Sequence, residues 1–184
     1  MGRKDIKVQR WASYSLGIIF FVLSSQNLVS SPIDHHQERF EDVALKIWEY
    51  AELGYLEEKS SGLLQQELKD SGFTIQSGVA GIPTAFIAEY NNGGPVLGIL
   101  GEFDALPGLS QQNVPFKTAE GLSSANGHAC GHHLFGAASA WAVVAIKEWL
   151  EESGTPGTIR FYGTPAEEGG SGKVYIARDG YFDD

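Results

Sequence analysis

Cysteine is nearly absent: Cys130 is the one such residue among 184. That excludes an intrachain disulfide and a zinc site built from cysteines alone, and leaves the thiol as either small buried filler or a single functional group. Basic residues are also scarce, 13 Lys and Arg against 23 Asp and Glu, for a net charge of −10. A surface of that sign does not track a phosphate backbone, so nucleic acid is excluded as a partner. Internal repeats and low-complexity tracts are missing, and no histidine follows His133. What remains is globular in composition, 42% hydrophobic and 20% charged, in a length that suits one core.

The N-terminus has a different grammar from the rest. Arg3, Lys4, Lys7 and Arg10 stand against a lone Asp5 and precede an apolar run at residues 16–23, which Ser24 and Ser25 close. This is the pattern of a cleaved export signal. The run is about half of the ~20 residues that a membrane-spanning helix requires, and no cysteine follows it to carry a lipid. Residues 1–31 are therefore expected to be a signal peptide, and residues 32–184 the exported, periplasmic or secreted, part; the plainer alternative is a buried N-terminal strand or helix in a cytoplasmic chain. Residues 1–13 hold four basic residues and one acidic one, so without them the balance is 9 against 22, still more acidic.

From residue 36 onward helices and strands alternate. Phe40, Val43, Ala44, Ile47, Trp48 and Ala51 recur at spacings of three and four, which predicts an amphipathic helix over 36–52. Leu63, Leu64 and Leu68 predict a second over 59–70, stopped by Ser71-Gly72. Residues 84–90 and 95–101 have strand character on either side of Asn91-Asn92-Gly93-Gly94, which suggests a hairpin at a sheet edge. A long helix is expected over 128–152, with Leu134, Ala138, Trp141, Val144, Ala145 and Trp149 as its apolar set. A buried strand should follow over 158–163, and a short helix from about Gly172. The order strand, long loop, helix, strand between Val96 and Gly163 is a βαβ unit whose strands must run parallel. Their carboxyl ends then share one rim, where α/β sheets build sites.

Two clusters fall on that rim. The first, Gly127-His128-Ala129-Cys130-Gly131-His132-His133, holds three imidazoles and the thiol within six positions. These donors suit zinc, manganese or cobalt, with thiolate favouring zinc. The second, Thr164-Pro165-Ala166-Glu167-Glu168-Gly169-Gly170, follows the strand directly. Adjacent carboxylates at a strand end point to different sides, so one can hold a metal while its neighbour takes a proton from water. Asp104, at the end of the preceding parallel strand, could orient a ligand from behind. Taken singly, each cluster also has a plainer reading, as a helix-start histidine group, a solvated acidic turn or a loop-capping Asp. Gly169-Gly170-Ser171-Gly172-Lys173 is not a phosphate loop, since Glu167 stands where that motif needs glycine. Cys130 as a nucleophile beside His128 or His132 leaves the glutamate pair without a purpose.

Together, Gly-Glu-Phe-Asp-Ala-Leu-Pro at 101–107, Gly-His-Ala-Cys-Gly-His at 127–132 and Thr-Pro-Ala-Glu-Glu-Gly-Gly at 164–170 resemble the aminoacylase/carboxypeptidase family of metallopeptidases. The likeness is to its amidohydrolase branch, in particular the p-aminobenzoyl-glutamate hydrolases, and covers residues from about 37 to the end. It implies a zinc-exopeptidase-like α/β fold of three αβα layers with a mixed sheet. It further implies two divalent metal ions, zinc or manganese, and hydrolysis of the amide bond of small N-acyl or N-aroyl amino acids or dipeptides. By the same resemblance Cys130, His132 and Glu168 match metal ligands, Glu167 matches the general base, and Asp104 matches a carboxylate beside the metals, grouped with Glu167 as catalytic. The ions would polarise the scissile carbonyl and activate water, and Glu167 would carry its proton to the leaving nitrogen.

This sequence departs from the pattern at His133, where many relatives have Asp, so His133 is left outside the ligand set. The family also takes histidine ligands from downstream and inserts a lid or dimerisation domain there. Residues 32–184 are accordingly expected to be the N-terminal part of a longer catalytic domain, homo- or hetero-oligomeric when complete. The rival expectation is a non-catalytic truncated homologue or partner subunit that binds metal without turnover.

Overall fold

A computed structural model describes residues 33–119, 122 and 125–183; the expected signal peptide lies outside the described residues. Helix α1 (Gln37–Tyr50) turns Phe40, Val43, Ala44 and Ile47 inward, as their spacing requires, and ends at Ala51 in the left-handed conformation. Helix α2 (Glu58–Asp70) buries Leu64 and Leu68. The sheet comprises β1 (Thr74–Ser77), β2 (Phe86–Asn91), β3 (Val96–Gly101) and β4 (Thr158–Gly163). Helix α3 (His132–Ser153) links β3 to β4, and the short helices α4 (Glu167–Gly170) and α5 (Gly172–Arg178) follow β4. Strand β1, a four-residue edge without clear alternation, is an element not expected from the sequence.

The strand order is β1-β2-β4-β3. β3 and β4 are parallel, in register from Val96↔Thr158 to Gly101↔Gly163, as the βαβ unit demands. The expected hairpin of β2 with β3 is not formed. β4 lies between them, antiparallel to β2 from Phe86↔Gly163 to Asn91↔Thr158, and the Asn-Asn-Gly-Gly turn carries the chain past its end. The physical reason is burial: β4 is almost wholly enclosed, so its backbone groups need a partner strand on each side. Local turn signals carry no information about a partner that arrives some sixty residues later.

Helices α1, α2 and α3 cover one face of this mixed sheet around Phe40, Ile47, Leu64, Leu68, Phe86, Phe103 and Phe161. On the other face Val79, Ile82, Ile87 and Tyr162 pack with Ile176 of α5, giving the αβα layering. α3 buries the small residues Gly136, Ala137, Ala140, Val143 and Val144, while Leu134 and Trp149 of the expected apolar set stay exposed. Close approach decides this. A Cβ added at Gly136 would lie 2.5 Å from the Glu102 carbonyl oxygen, so the helix can lie against the β3 end only through its smallest residues. The same approach brings the start of α3 to the rim. Among the described residues no helix is long and apolar enough to cross a membrane.

Phe161 is fully buried at the centre of the sheet, its ring 5.5 Å from that of Phe86. Phe161→Ala is expected to cost about 3–5 kcal/mol through lost burial and the cavity left behind, measured as a lowered urea midpoint with the denaturant slope unchanged.

Candidate metal centre

The register pair Gly101↔Gly163 sets both strand ends side by side, and Thr164 locks them by donating its backbone N–H to the Gly101 carbonyl at 2.9 Å. The chain after β3 therefore delivers Glu102 and Asp104 to the place where the chain after β4 delivers Glu167 and Glu168. Gly131 turns the loop between them with φ 91° and starts α3 at His132 rather than at His128, leaving Cys130 in the turn. Ala166 takes the left-handed conformation, φ 57°, and the two glutamates follow in the first turn of α4 instead of on a continued strand.

His132 is the hub. It is buried, and its Nδ1–H donates to Asp104 Oδ1 at 2.8 Å, while Nε2 lies 2.9 Å from Glu102 Oε2. Glu167 and Glu168 each approach to 3.8 Å, at Nε2 and Nδ1 respectively. Asp104 accepts a second bond at Oδ2 from the Glu168 backbone N–H, 2.9 Å. Burial by itself would raise the Asp104 pKa, but the hydrogen bonds from His132 and the Glu168 N–H outweigh it and hold the carboxyl below its usual range. The bond to Asp104, then the charges of Asp104, Glu102 and Glu168, raise that of His132 against the effect of burial. The Cys130 thiol faces Glu168, which pushes its pKa up. Lys173 pairs with Glu102 on the far side.

Cys130, His132 and Glu168 bring ligand atoms within 4.8 Å of one another, and so do Glu102, His132 and Glu167. Four carboxylates and one thiol around a single imidazole form a site that calls for positive charge. Glu168 Oε1 is shielded from solvent and accepts no hydrogen bond, an oxygen that a cation would satisfy. With Nδ1 committed to Asp104, Nε2 is the nitrogen left for a metal, the arrangement in which a carboxylate fixes the tautomer and direction of a ligating histidine. Thiolate, imidazole and carboxylate together fit a divalent transition ion.

Comparison with known proteins agrees with this geometry. Residues 98–184 match peptidase family M20/M25/M40. That stretch is a peptidase M20 domain. The chain is 45% identical over 156 residues to a p-aminobenzoyl-glutamate hydrolase chain of Escherichia coli strain K12, an alignment covering 85% of this chain and 32% of that protein. With the Xaa-Arg dipeptidase of Mus musculus the identity is 32% over 164 residues, 82% of this chain and 34% of the relative. A solved dinuclear metal-binding M20 peptidase from Bacillus subtilis superposes with a TM-score of 0.67 at 26% identity, covering 79% of this chain and 40% of the other. The chain thus spans about a third of the length of the curated relatives it matches.

All five residues singled out in the sequence, Asp104, Cys130, His132, Glu167 and Glu168, meet around the imidazole of His132. His128 and His133 do not. His128 bonds the Ile47 carbonyl through Nε2 at 3.0 Å, and His133 packs against Trp48 and His128 with ring centroids 4.8 and 5.0 Å away. Burial, then the neighbouring imidazoles, pushes the His133 pKa down to about 4, so the ring is neutral at physiological pH. Glu102 joins the site although sequence reasoning placed it within a motif and gave it no role; its position one residue beyond β3 was the available signal. Glu57, fully buried and bonded to the Ala166 N–H, had no sequence signal at all.

The sign of the His132 shift yields a pH prediction. A histidine whose folded pKa is raised stabilises the metal-free fold fully below its unfolded value, near 6.5, and loses that contribution as pH rises through the folded value. Asp104→Asn is expected to move the His132 titration to lower pH, read by NMR, and to flatten the decline in metal-free stability above about pH 6.5.

Proposed function

We propose that this chain carries the metal-binding part of an amidohydrolase that cleaves the amide bond of small N-acyl or N-aroyl amino acids or dipeptides. The observation that carries this is the convergence of Cys130, His132 and Glu168 with Glu167 beside them at 3.8 Å from the same imidazole. Cys130, His132 and Glu168 would hold a divalent ion, zinc or manganese, and a second ion would need donors additional to these, because Nε2 of His132, which an ion would take over from Glu102, serves a single ion. A bound ion supplies Lewis acidity toward a carbonyl oxygen and a water molecule.

The chain's own residues supply the rest. Asp104 keeps the Nδ1 proton of His132 in place and so presents Nε2 outward. Glu167 is the most open of the carboxylates around His132, its side chain 43% exposed. It is free to take a proton from an attacking water and return it to the departing nitrogen, which is general base then general acid work. Relatives named for p-aminobenzoyl-glutamate and Xaa-Arg hydrolysis support small amide substrates with a free amino-acid carboxylate. The basic-then-apolar leader supports export, and an oligomeric assembly is the corresponding expectation for the whole protein. The net charge of −10 supports no role with nucleic acid.

Two variants separate the roles. Cys130→Ala is expected to lower Co²⁺ affinity by at least about tenfold and abolish the thiolate-to-metal absorption band, while unchanged binding would remove Cys130 from the ligand set. For turnover, residues 33–184 can be grafted in place of the matching third of the Escherichia coli hydrolase chain, and p-aminobenzoate release followed. Glu167→Gln in that chimera is expected to lose about a hundredfold to ten-thousandfold in rate with metal content intact. A chimera that loads metal and never turns over would favour a binding role.

A further inference from the structure

Glu57 stands just before α2, outside both groups of metal donors, and is completely buried with both carboxyl oxygens engaged. Oε1 accepts the backbone N–H of Ala166 at 2.8 Å, and Oε2 accepts the hydroxyl of Thr84 at 3.0 Å. Nothing in the proposed chemistry uses it. Burial raises its pKa, so the fold holds this group at an energetic cost. A buried carboxyl kept at such a cost needs a purpose, and its bond to Ala166 shows one. Ala166 is a non-glycine residue held in the left-handed region, φ 57°, immediately before Glu167 and Glu168. That backbone state is disfavoured for an L-residue and persists only where its surroundings impose it.

The segment leading to Glu57 presses on the same turn. A Cβ at Gly54 would lie 2.9 Å from the Ala166 Cα, and the Tyr55 hydroxyl donates to the Gly170 carbonyl at the other end of α4. Leu53 bridges Ala105, next to Asp104, in parallel fashion. One short loop therefore touches the backbone on both sides of the metal-binding carboxylates without contributing a donor of its own.

We propose that Glu57 is a positioning residue, which fixes Ala166 in its left-handed turn and through it sets where Glu167 and Glu168 stand relative to His132. The inference rests on Glu168 being a metal ligand for its consequence, and on the Ala166 hydrogen bond alone for its structural content. Removing the acceptor frees the Ala166 N–H and lets the turn relax toward an extended path, which swings both glutamates away from the imidazole. Asp104 accepts the Glu168 N–H and the Tyr55 hydroxyl donates to the Gly170 carbonyl, so Glu57 holds the N-terminal side of a turn whose later residues have holds of their own.

The experiment compares Glu57→Gln, Glu57→Asp and Glu57→Met in the whole chain, with two readouts. The first is hydrogen exchange at the Ala166 amide in the metal-free protein; the second is affinity and visible spectrum with Co²⁺ alone. Glutamine keeps an acceptor for Ala166 and a polar partner for Thr84, and is expected to retain amide protection and bind Co²⁺ within about threefold of wild type. Aspartate withdraws the acceptor by one methylene, and methionine removes it. Both are expected to speed Ala166 exchange at least about tenfold while β4 amides stay protected, and to weaken Co²⁺ binding about tenfold to a hundredfold with a shifted spectrum. Should the methionine variant fail to fold, the aspartate variant decides. Unchanged exchange and unchanged binding in folded Glu57→Asp would overturn the proposal. A wild-type chain that binds no Co²⁺ would sink the metal reading instead, and the Ala166 amide would still decide the role of Glu57.

Discussion

The parallel pairing of β3 with β4, in register to Gly101↔Gly163, is the constraint on which the rest of the molecule depends. Because both strands end at the same level, the two segments that leave them emerge side by side, and each brings a pair of carboxylates. The right order of events in the chain, strand then helix then strand, makes the helix start above the same rim, and so the imidazole of His132 arrives from a third direction. Small residues along α3 allow that approach. Gly136 sits against the Glu102 carbonyl, and a bulkier residue there would lift the helix, with His132 and Cys130, away from the strand ends.

Electrostatics then turns this meeting point into a site. Placing Glu102, Asp104, Glu167 and Glu168 around one histidine concentrates negative charge where water is partly excluded, and a fold does not tolerate that without compensation. The compensation visible in the chain is partial: Lys173 on Glu102, the proton of His132 on Asp104, and backbone N–H groups on Asp104 and Glu57. One oxygen of Glu168 is left buried and unpartnered beside the thiol. A divalent cation would balance the remainder, and the likeness to a dinuclear metal-binding M20 peptidase agrees with that demand.

Much of this was legible in the sequence because it is local or pairwise. The spacing of Phe40, Val43, Ala44 and Ile47 follows directly from helix period, and β3–α3–β4 follows from the handful of ways a strand, helix and strand can connect. The donors Cys130, His132 and Glu168 were visible as chemical types in short motifs. The hairpin expected of β2 and β3 fails because a turn sequence reports only its own conformation, whereas the neighbour of each strand is settled by burial of the whole sheet. The apolar set expected of α3 holds in part: Val144 and Ala145 are buried and Trp141 packs on the core, whereas Leu134 and Trp149 stay exposed, and close packing at the rim selects Gly136, Ala137 and Ala140 there.

By itself, then, the amino-acid order determined most of the elements, though not the edge strand β1, together with the parallel unit and the inventory of donors, since these depend on periodicity, connectivity and residue chemistry within short windows. Only the tertiary structure decided which donors share a centre. It gave the two nitrogens of His132 separate partners and retired His133 and His128 to aromatic packing. It also brought Glu57, with nothing to mark it in the sequence, under the turn that carries the glutamates. Those outcomes depend on distances between segments remote along the chain, and such distances exist only once the core has closed and excluded water around them.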